Sequence, residues 1–292
     1  MSGHRRRATP TGLVMVAPSL AVLGAFVLYP IVRTAWLGLF EQDPFGRRRT
    51  WVGFDQYRDV VTSGEFRHSL WVTVGFVALT VPASLVLGVA LAALANQQLR
   101  GIRVFRTIFA STIATSIAVA SMLWIVLLQP TTGILASFLE AIGQEPIDVL
   151  GNPRTALVGV ALTTTWQQLG LVFVVSLAAM QSIPDTPHES ARLDGHGPVR
   201  RFVWITLPLL GPQLLFASIV LTIASFQSFA QVDLLTEGGP RDATNVLVYS
   251  MVQDLPLDQG RAAVEAVLLF LVVGTFGAIQ FRWLDRRVHY AD

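Results

Sequence analysis

The chain contains no cysteine and no lysine. Without cysteine there is neither a disulfide framework nor a thiolate metal site. Without lysine there is no intact GxxxxGK[ST] phosphate loop and no lysine Schiff base. All 21 basic residues are arginine. Charge as a whole is scarce: 14% of residues are charged, against about a quarter in soluble domains. Five scattered histidines form no ligand set, so no metal site is expected. What fills the chain instead is apolar, since 52% of its 292 residues are hydrophobic. The arginines are spread between apolar runs and form no patch for nucleic acid; placement relative to a membrane explains them better.

Apolar runs of about 20 residues, the length of a bilayer-crossing helix, fall at roughly 11–32, 69–96, 107–128, 155–180, 209–232 and 263–281. The expected fold is an all-α membrane protein with six transmembrane helices. Residues 11–284 make the six-span domain, and 1–10 and 285–292 are short cytoplasmic tails. Arg5–Arg7 suit a signal peptide, but the run that follows is too long and Tyr29-Pro30 offers no small-residue cleavage site. Arg33, beyond the first run, can snorkel to the interface. With the N-terminus inside, inside segments hold twelve arginines and five acids, and outside segments eight arginines and fourteen acids. That asymmetry puts both termini in the cytoplasm. Outer residues 41–68 carry Trp51, Phe54, Tyr57 and Phe66, enough for a small packed cap.

A dense polar stretch interrupts the apolar pattern at 185–208, between the fourth and fifth runs. Pro184 and Pro187 stop the fourth helix, and His188–Leu193 can form a short one. Asp194-Gly195 signals a turn in which Gly195 takes positive φ. Gly197-Pro198 restarts a helix with proline in its first turn. Val199, Phe202 and Val203 share one face, and Pro208 and Pro212 bracket the start of the fifth span. The product is a helix–turn–helix elbow, a shape suited to docking into a groove on a soluble partner.

The spacing Glu189-x-Ala191-x-x-Asp194-Gly195, nine residues, then Ile205-x-Leu207-Pro208, resembles the EAA loop of ATP-binding-cassette (type I) importer permeases. Ser190 stands where that family usually has alanine, and His196 replaces a common alanine. Phe105-Arg106-Thr107, Trp166, Gly170, Gln181-Ser182-Ile183-Pro184 and Leu235-Thr236-x-Gly238-Gly239-Pro240 resemble the carbohydrate-uptake branch, in the half related to maltose permease F. Asp43-Pro44-Phe45-Gly46 and Gln280-Phe281-Arg282-Trp283-Leu284-x-x-x-Val288-x-Tyr290 look like the A-type permease of glycerol-3-phosphate and glycerophosphodiester uptake. Trehalose and other oligosaccharide permeases share much of the pattern. The resemblance implies a non-catalytic transport protein in a bacterial plasma membrane. It also implies a second six-span permease as heterodimer partner, a cytoplasmic ATPase dimer using ATP and Mg2+, and an extracytoplasmic substrate-binding protein. This chain would bind no cofactor itself.

Within that resemblance, Glu189, Ala191, Asp194, Gly195, Arg200 and Arg201 are the candidates for coupling to the ATPase. Each has a plainer reading beside it. Glu189 can cap its own helix, Asp194-Gly195 can simply be the turn, and Arg200 and Arg201 can be positive-inside anchors. Polar groups in the spans are costly in lipid and tend to face the bundle interior. Serines and threonines there mostly serve helix packing. Glutamine can donate and accept, which suits sugar or glycerol hydroxyls. Gln168, Gln227 and Gln231, with Trp166 and Asp233, are the candidates for a substrate pathway. Two other function classes compete: an ion-coupled carrier would need buried carboxylates, for which only Glu265 comes close, and an intramembrane hydrolase would need a Ser/His or paired-Asp set.

Overall fold

The computed structural model describes residues 10–42, 49–97 and 99–285. The tails, the Arg5–Arg7 cluster, the Asp43-Pro44-Phe45-Gly46 motif and the positions Val288 and Tyr290 lie outside them. The chain divides into two compact units. One comprises Met1–Ser63 with Met251–Leu268, and the other Gly64–Ser250 with Leu269–Asp292.

The first unit begins with α1 (Pro10–Leu23), a five-residue π-helical turn (Gly24–Leu28) and α2 (Tyr29–Leu37). From Met15 to Leu37 these make one apolar helix long enough to cross a membrane, with none of its residues buried. A short antiparallel pair follows, β1 (Phe40–Gln42) with β2 (Arg49–Trp51). Trp36, Phe40 and Trp51 gather beside it, ring centroids 5.0 to 5.7 Å apart. Next comes α3 (Asp55–Thr62), where Phe54 contacts Tyr57. The aromatic cap expected at 41–68 is thus built from Trp51 with Trp36 and Phe40. Phe66 instead belongs to the next helix.

The second unit is organised by two long helices, α4 (Gly64–Ala95) and α8 (Ala156–Ser182). At 32 residues, α4 is about 48 Å long, more than the roughly 30 Å hydrocarbon layer. Its buried stripe includes Ser69, Thr73, Phe76, Thr80, Ser84 and Gly88, spaced three or four apart as a single helical face requires. Three of the hydroxyls on that face bond to their own helix: Thr73 to the Ser69 carbonyl at 2.6 Å, Thr80 to Phe76 at 2.7 Å and Ser84 to Thr80 at 2.8 Å. These three hydroxyls are satisfied without water, while Ser69 Oγ is buried with no partner among the described residues, and the small side chains let α8 approach. The approach is close at Gly88, where a Cβ would lie 2.5 Å from Val172 Cβ.

Two of the six expected spans are not straight. Residues 107–128 read as one apolar run, but α5 (Ile102–Ala110) passes through a 3-10 turn (Ser111–Ala114) into α6 (Ile117–Leu128) with a bend of 110°. The cause is local. Ser111 donates to the Ile108 carbonyl at 2.8 Å and Thr112 to Phe109 at 3.0 Å, and Ser116 caps α6 by accepting from Val119 N–H at 3.3 Å. Serine and threonine side chains here compete with the helical ladder. After α7 (Ile134–Ala141), α8 and α9 (Thr186–Leu193) comes the second bend. There α10 (Pro198–Arg201), a π turn (Phe202–Thr206) and α11 (Leu207–Leu209) meet α12 (Gly211–Phe226) at 69°. The expected run 209–232 is also broken at its far end. Helix α12 stops at Phe226 and α13 (Ala230–Thr236) begins after a three-residue gap. Then come α14 (Leu247–Asp254) and α15 (Gln259–Asp285). Among the described residues, four helices are long and apolar enough to cross a membrane, and six if each bent pair is one span.

Candidate functional site

In the second unit the side chains of Gln167 and Gln168, adjacent on α8, serve two different hydrogen-bond sets. The first is a chain of amides. The Gln231 amide nitrogen on α13 donates to Gln167 Oε1 at 2.9 Å, and the Gln167 nitrogen donates to the Thr115 carbonyl at 3.0 Å. That carbonyl lies at the 110° bend. Gln231 Oε1 accepts from Thr164 Oγ1 at 2.8 Å and from Ser228 Oγ at 3.3 Å. Gln231 is buried, so its amide has no water to fall back on. The second set joins three helices: Gln168 donates to Ser225 Oγ on α12 and accepts from Ser84 Oγ on α4, both at 3.2 Å.

The candidate pathway residues therefore do not form one cluster. Gln168 and Gln231 hold neighbouring helices through their amides. Gln227 is exposed at the end of α12, where its backbone N–H closes the helix on the Ile223 carbonyl at 3.2 Å. Asp233 is partly exposed in the first turn of α13, where a negative charge faces the positive helix end. Trp166 meets Trp124 edge-on at 6.3 Å and lines an apolar groove with Met122, Leu127 and Ile134. Gln167 is the member that sequence reasoning did not single out, because its role depends on a partner 64 residues away.

The signature 235–240 builds a tight loop after α13. Gly238 has φ +78°, and a Cβ there would meet the Tyr249 ring at 2.7 Å. Thr236 and Thr244 hydroxyls lie 2.7 Å apart, and Thr244 donates to the Gly239 carbonyl at 2.7 Å. His68 Nε2 lies 3.0 Å from the Asp242 carbonyl.

The segment 185–208 folds as two short helices about a glycine turn. Helix α9 ends with two backbone bonds: His196 N–H to Ala191 at 2.9 Å and Gly195 N–H to Arg192 at 3.0 Å. Gly195 has φ +77°. This pattern, the Schellman motif, satisfies helix-end carbonyls and needs a left-handed residue. Gly197 then caps α10, with Pro198 in its first turn. Ala191 is buried; Glu189, Asp194, Gly195 and Arg200 are exposed, and Arg201 is half-buried. Three large apolar side chains stand in the open here: Leu193 at 90%, Val199 at 75% and Trp204 at 73% exposure.

In the first unit, Arg261 and Glu265 on α15 meet Asp254. Arg261 Nε lies 2.8 Å from Asp254 and 3.6 Å from Glu265, whose side chain is wholly buried. The Gln56 amide, oriented to satisfy its neighbours, donates to the carbonyls of Phe40 (3.1 Å) and Gly38 (3.0 Å) and accepts from Arg261 N–H at 3.0 Å. The buried carboxylate that an ion-coupled carrier would need is here held against an arginine.

Known proteins resemble this chain in both sequence and fold. The family described as "Binding-protein-dependent transport system inner membrane component" matches residues 61–290. The sn-glycerol-3-phosphate transport system permease protein UgpA of Yersinia enterocolitica is 35% identical over 280 residues, 95% of each chain. The protein of the same name from Salmonella typhimurium is 32% identical over the same shares. Among solved structures, a bacterial ABC transporter involved in the import of the acidic polysaccharide alginate aligns over 94% of both chains, at 21% identity and a TM-score of 0.79. A bacterial alginate ABC transporter in complex with alginate pentasaccharide-bound periplasmic protein aligns over 96% of this chain and 95% of that one, at 19% identity and a TM-score of 0.81. At those identities the structures speak for the fold, which is that of an ABC importer permease. The chain belongs to the family of binding-protein-dependent transport system inner membrane components, as a non-catalytic, membrane-spanning transport protein.

Proposed function

We infer that this chain is one of two permeases of an ATP-driven importer, and that the importer carries glycerol-3-phosphate or a glycerophosphodiester. The observation that carries the substrate is the 35% identity, over 95% of both chains, to a permease named for sn-glycerol-3-phosphate transport. A second six-span permease completes the pathway, an ATPase dimer binds ATP and Mg2+ on the cytoplasmic side, and an external binding protein delivers substrate. Both termini and segment 185–208 face the cytoplasm, as the arginine bias requires. Glu189, Ala191, Asp194 and Gly195 form the part that the ATPase grips: Ala191 anchors α9, Gly195 sets the turn, and Glu189 and Asp194 are presented to the partner. The exposed Leu193, Val199 and Trp204 supply the apolar part of that contact. ATP binding closes the ATPase dimer, the elbow moves with it, and the permease pair alternates its access.

In the pathway, Gln168 and Gln231 act on the substrate through helix position. Their amides tie α8 to α4, α12 and α13, so opening the pathway exchanges these bonds for bonds to substrate hydroxyls. Gln227 is the candidate whose amide is presented openly, with Asp233 and Trp166 at the periphery. The test is uptake by the complete transporter in proteoliposomes, with labelled glycerol-3-phosphate and unlabelled glycerophosphodiesters, trehalose and maltose as competitors. Uptake of glycerol-3-phosphate, suppressed by glycerophosphodiesters and unaffected by the sugars, is expected. Uptake suppressed only by trehalose or maltose assigns the importer to an oligosaccharide. ATP hydrolysis by this chain purified alone would overturn its assignment as a permease.

A further inference from the structure

One stripe of α8 meets the 110° bend on both sides of its turn. Gln167, Gly170 and Phe173 stand three apart on that helix, a spacing that stacks side chains along one stripe. Phe173, wholly buried, meets Phe109 of α5 with ring centroids 6.0 Å apart. At Gly170 a Cβ would lie 2.5 Å from Thr112 Oγ1 and 2.6 Å from Ile113 N, so the 3-10 turn rests on the α8 backbone. Past the turn, Gln167 donates to the Thr115 carbonyl at 3.0 Å. The contacts run antiparallel: 173 to 109, 170 to 112–113, and 167 to 115. The last is a hydrogen bond, and the backbone requires it. Thr115 is extended, with φ −77° and ψ 126°, which takes its carbonyl out of the helical ladder. A carbonyl freed in the bilayer has to find its donor within the protein.

That bond also fixes which way the amides point. A carbonyl only accepts, so the Gln167 nitrogen faces Thr115 and its oxygen faces Gln231, which donates to it at 2.9 Å. Gln167 therefore touches both broken runs, the first at its break and the second at α13, just beyond the gap at 227–229. We propose that Gln167 is a positioning residue of the transport cycle. Its nitrogen holds the break at 115–116 against α8, while its oxygen lets Gln231 and α13 go. The two bonds differ in what can replace them. Gln231 can turn its amide to a substrate hydroxyl, whereas the Thr115 carbonyl is fixed in the backbone and keeps its donor. Helix α6 thus stays with α8 while α13 moves, and Trp124 on α6 keeps its place beside Trp166 on α8. The release of Gln231 rests on the reading in which its amide exchanges partners as the pathway opens. The hold on Thr115 does not.

Spin labels on introduced cysteines test both halves, in a chain that has no cysteine of its own. One pair joins Ala118 of α6 to Val174 of α8, and a second joins Leu234 of α13 to Val174; all three positions are exposed. Distances are measured by double electron–electron resonance in the complete transporter, its other subunits freed of reactive thiols. They are taken without nucleotide and after trapping with ATP and orthovanadate. The 118–174 distance should be single and the same in both states, and the 234–174 distance should change between them. Gln167→Leu should raise the displaced population of the 118–174 pair about fivefold, the effect of losing one ordinary hydrogen bond. Gln231→Leu should leave that pair as in wild type, since the bond to Thr115 remains. Gly170→Ala, which keeps Gln167, should lengthen the 118–174 distance by driving the turn off α8. Equal broadening by Gln167→Leu and Gln231→Leu is general loosening and overturns the positioning role. So does a native 118–174 distance that changes on trapping, or a Gln167→Leu variant identical to wild type. A constant 234–174 distance overturns the exchange at Gln231 and the reading beneath it, while the 118–174 pair still decides the hold on Thr115.

Discussion

Arg261 is the residue on which the first unit's polar interior depends. It stands between Asp254 and the wholly buried Glu265, and its backbone N–H is held by Gln56. Replacing it by alanine strands two carboxylates, one with no access to water, and breaking a buried pair from one side costs about 3–5 kcal/mol. Arg261→Ala should therefore lower the thermal midpoint of the solubilised transporter strongly. Adding Glu265→Gln should recover part of the loss, because the charge left behind is then gone. If the double variant is no more stable than Arg261→Ala, the buried charge is not the cause. Gln231 makes a parallel case in the second unit. Gln231→Leu leaves Gln167 Oε1 without its donor, while the Thr164 hydroxyl keeps its bond to the Val160 carbonyl, at a cost of about 1–3 kcal/mol. Gln231→Glu keeps the acceptor for Thr164 but sets a buried carboxylate against Gln167 Oε1, so at neutral pH it should unfold below the leucine variant. Arg261 and Glu265 stand four apart, a spacing that one helix brings together, but the Gln231–Gln167 pairing was not legible in the sequence. Glu265 stood out as a carboxylate in a greasy run, and Gln231 as an amide in one, but partners 64 residues apart are chosen by tertiary packing.

Elements were read more faithfully where their ends are encoded locally. The turn at Gly195 follows from Asp194-Gly195 and Gly197-Pro198, residues whose backbone preferences act within four positions. Hydropathy is blind to the bend inside 102–128: Ser111, Thr112 and Ser116 redirect the helix while the run around them stays apolar. The gap at 227–229 is hidden in the same way. Two substitutions test elements directly. Proline cannot adopt the φ of +77° at Gly195, so Gly195→Pro should unravel the end of α9. Membrane insertion should continue, while ATP hydrolysis by the assembled transporter proceeds without uptake. Normal uptake would show that the turn has no part in coupling. At Gly88, a Cβ would stand 2.5 Å from Val172. Gly88→Leu should push α4 from α8 and destabilise the fold by roughly 1–3 kcal/mol, as overpacking does. Combining it with Val172→Ala should restore part of the midpoint if this crossing is the contact that was strained.

At the scale of the whole molecule, the remaining question is which face looks into the cell, and the chain's own composition makes it easy to ask. Twelve arginines and five acids fall on one side of the six runs, eight arginines and fourteen acids on the other. Arginine resists transfer across the bilayer during insertion, so the richer side is the one we propose to be cytoplasmic. That side carries segment 185–208, and the opposite side carries the connection between α7 and α8. Because the natural chain has no cysteine, one introduced thiol reports without background. Glu145 and Ser190 are both exposed in the fold, one in each segment. In intact cells, or spheroplasts where an outer membrane bars the reagent, Glu145→Cys should react with a membrane-impermeant maleimide at once. Ser190→Cys should react only after the membrane is opened, and more slowly when the ATPase is present than when it is absent. The opposite order would invert the topology, and with it the assignment of the glycine turn to the ATP-driven side. Protection of Ser190→Cys that does not depend on the ATPase would separate orientation from docking, leaving the arginine argument standing and the coupling role refuted.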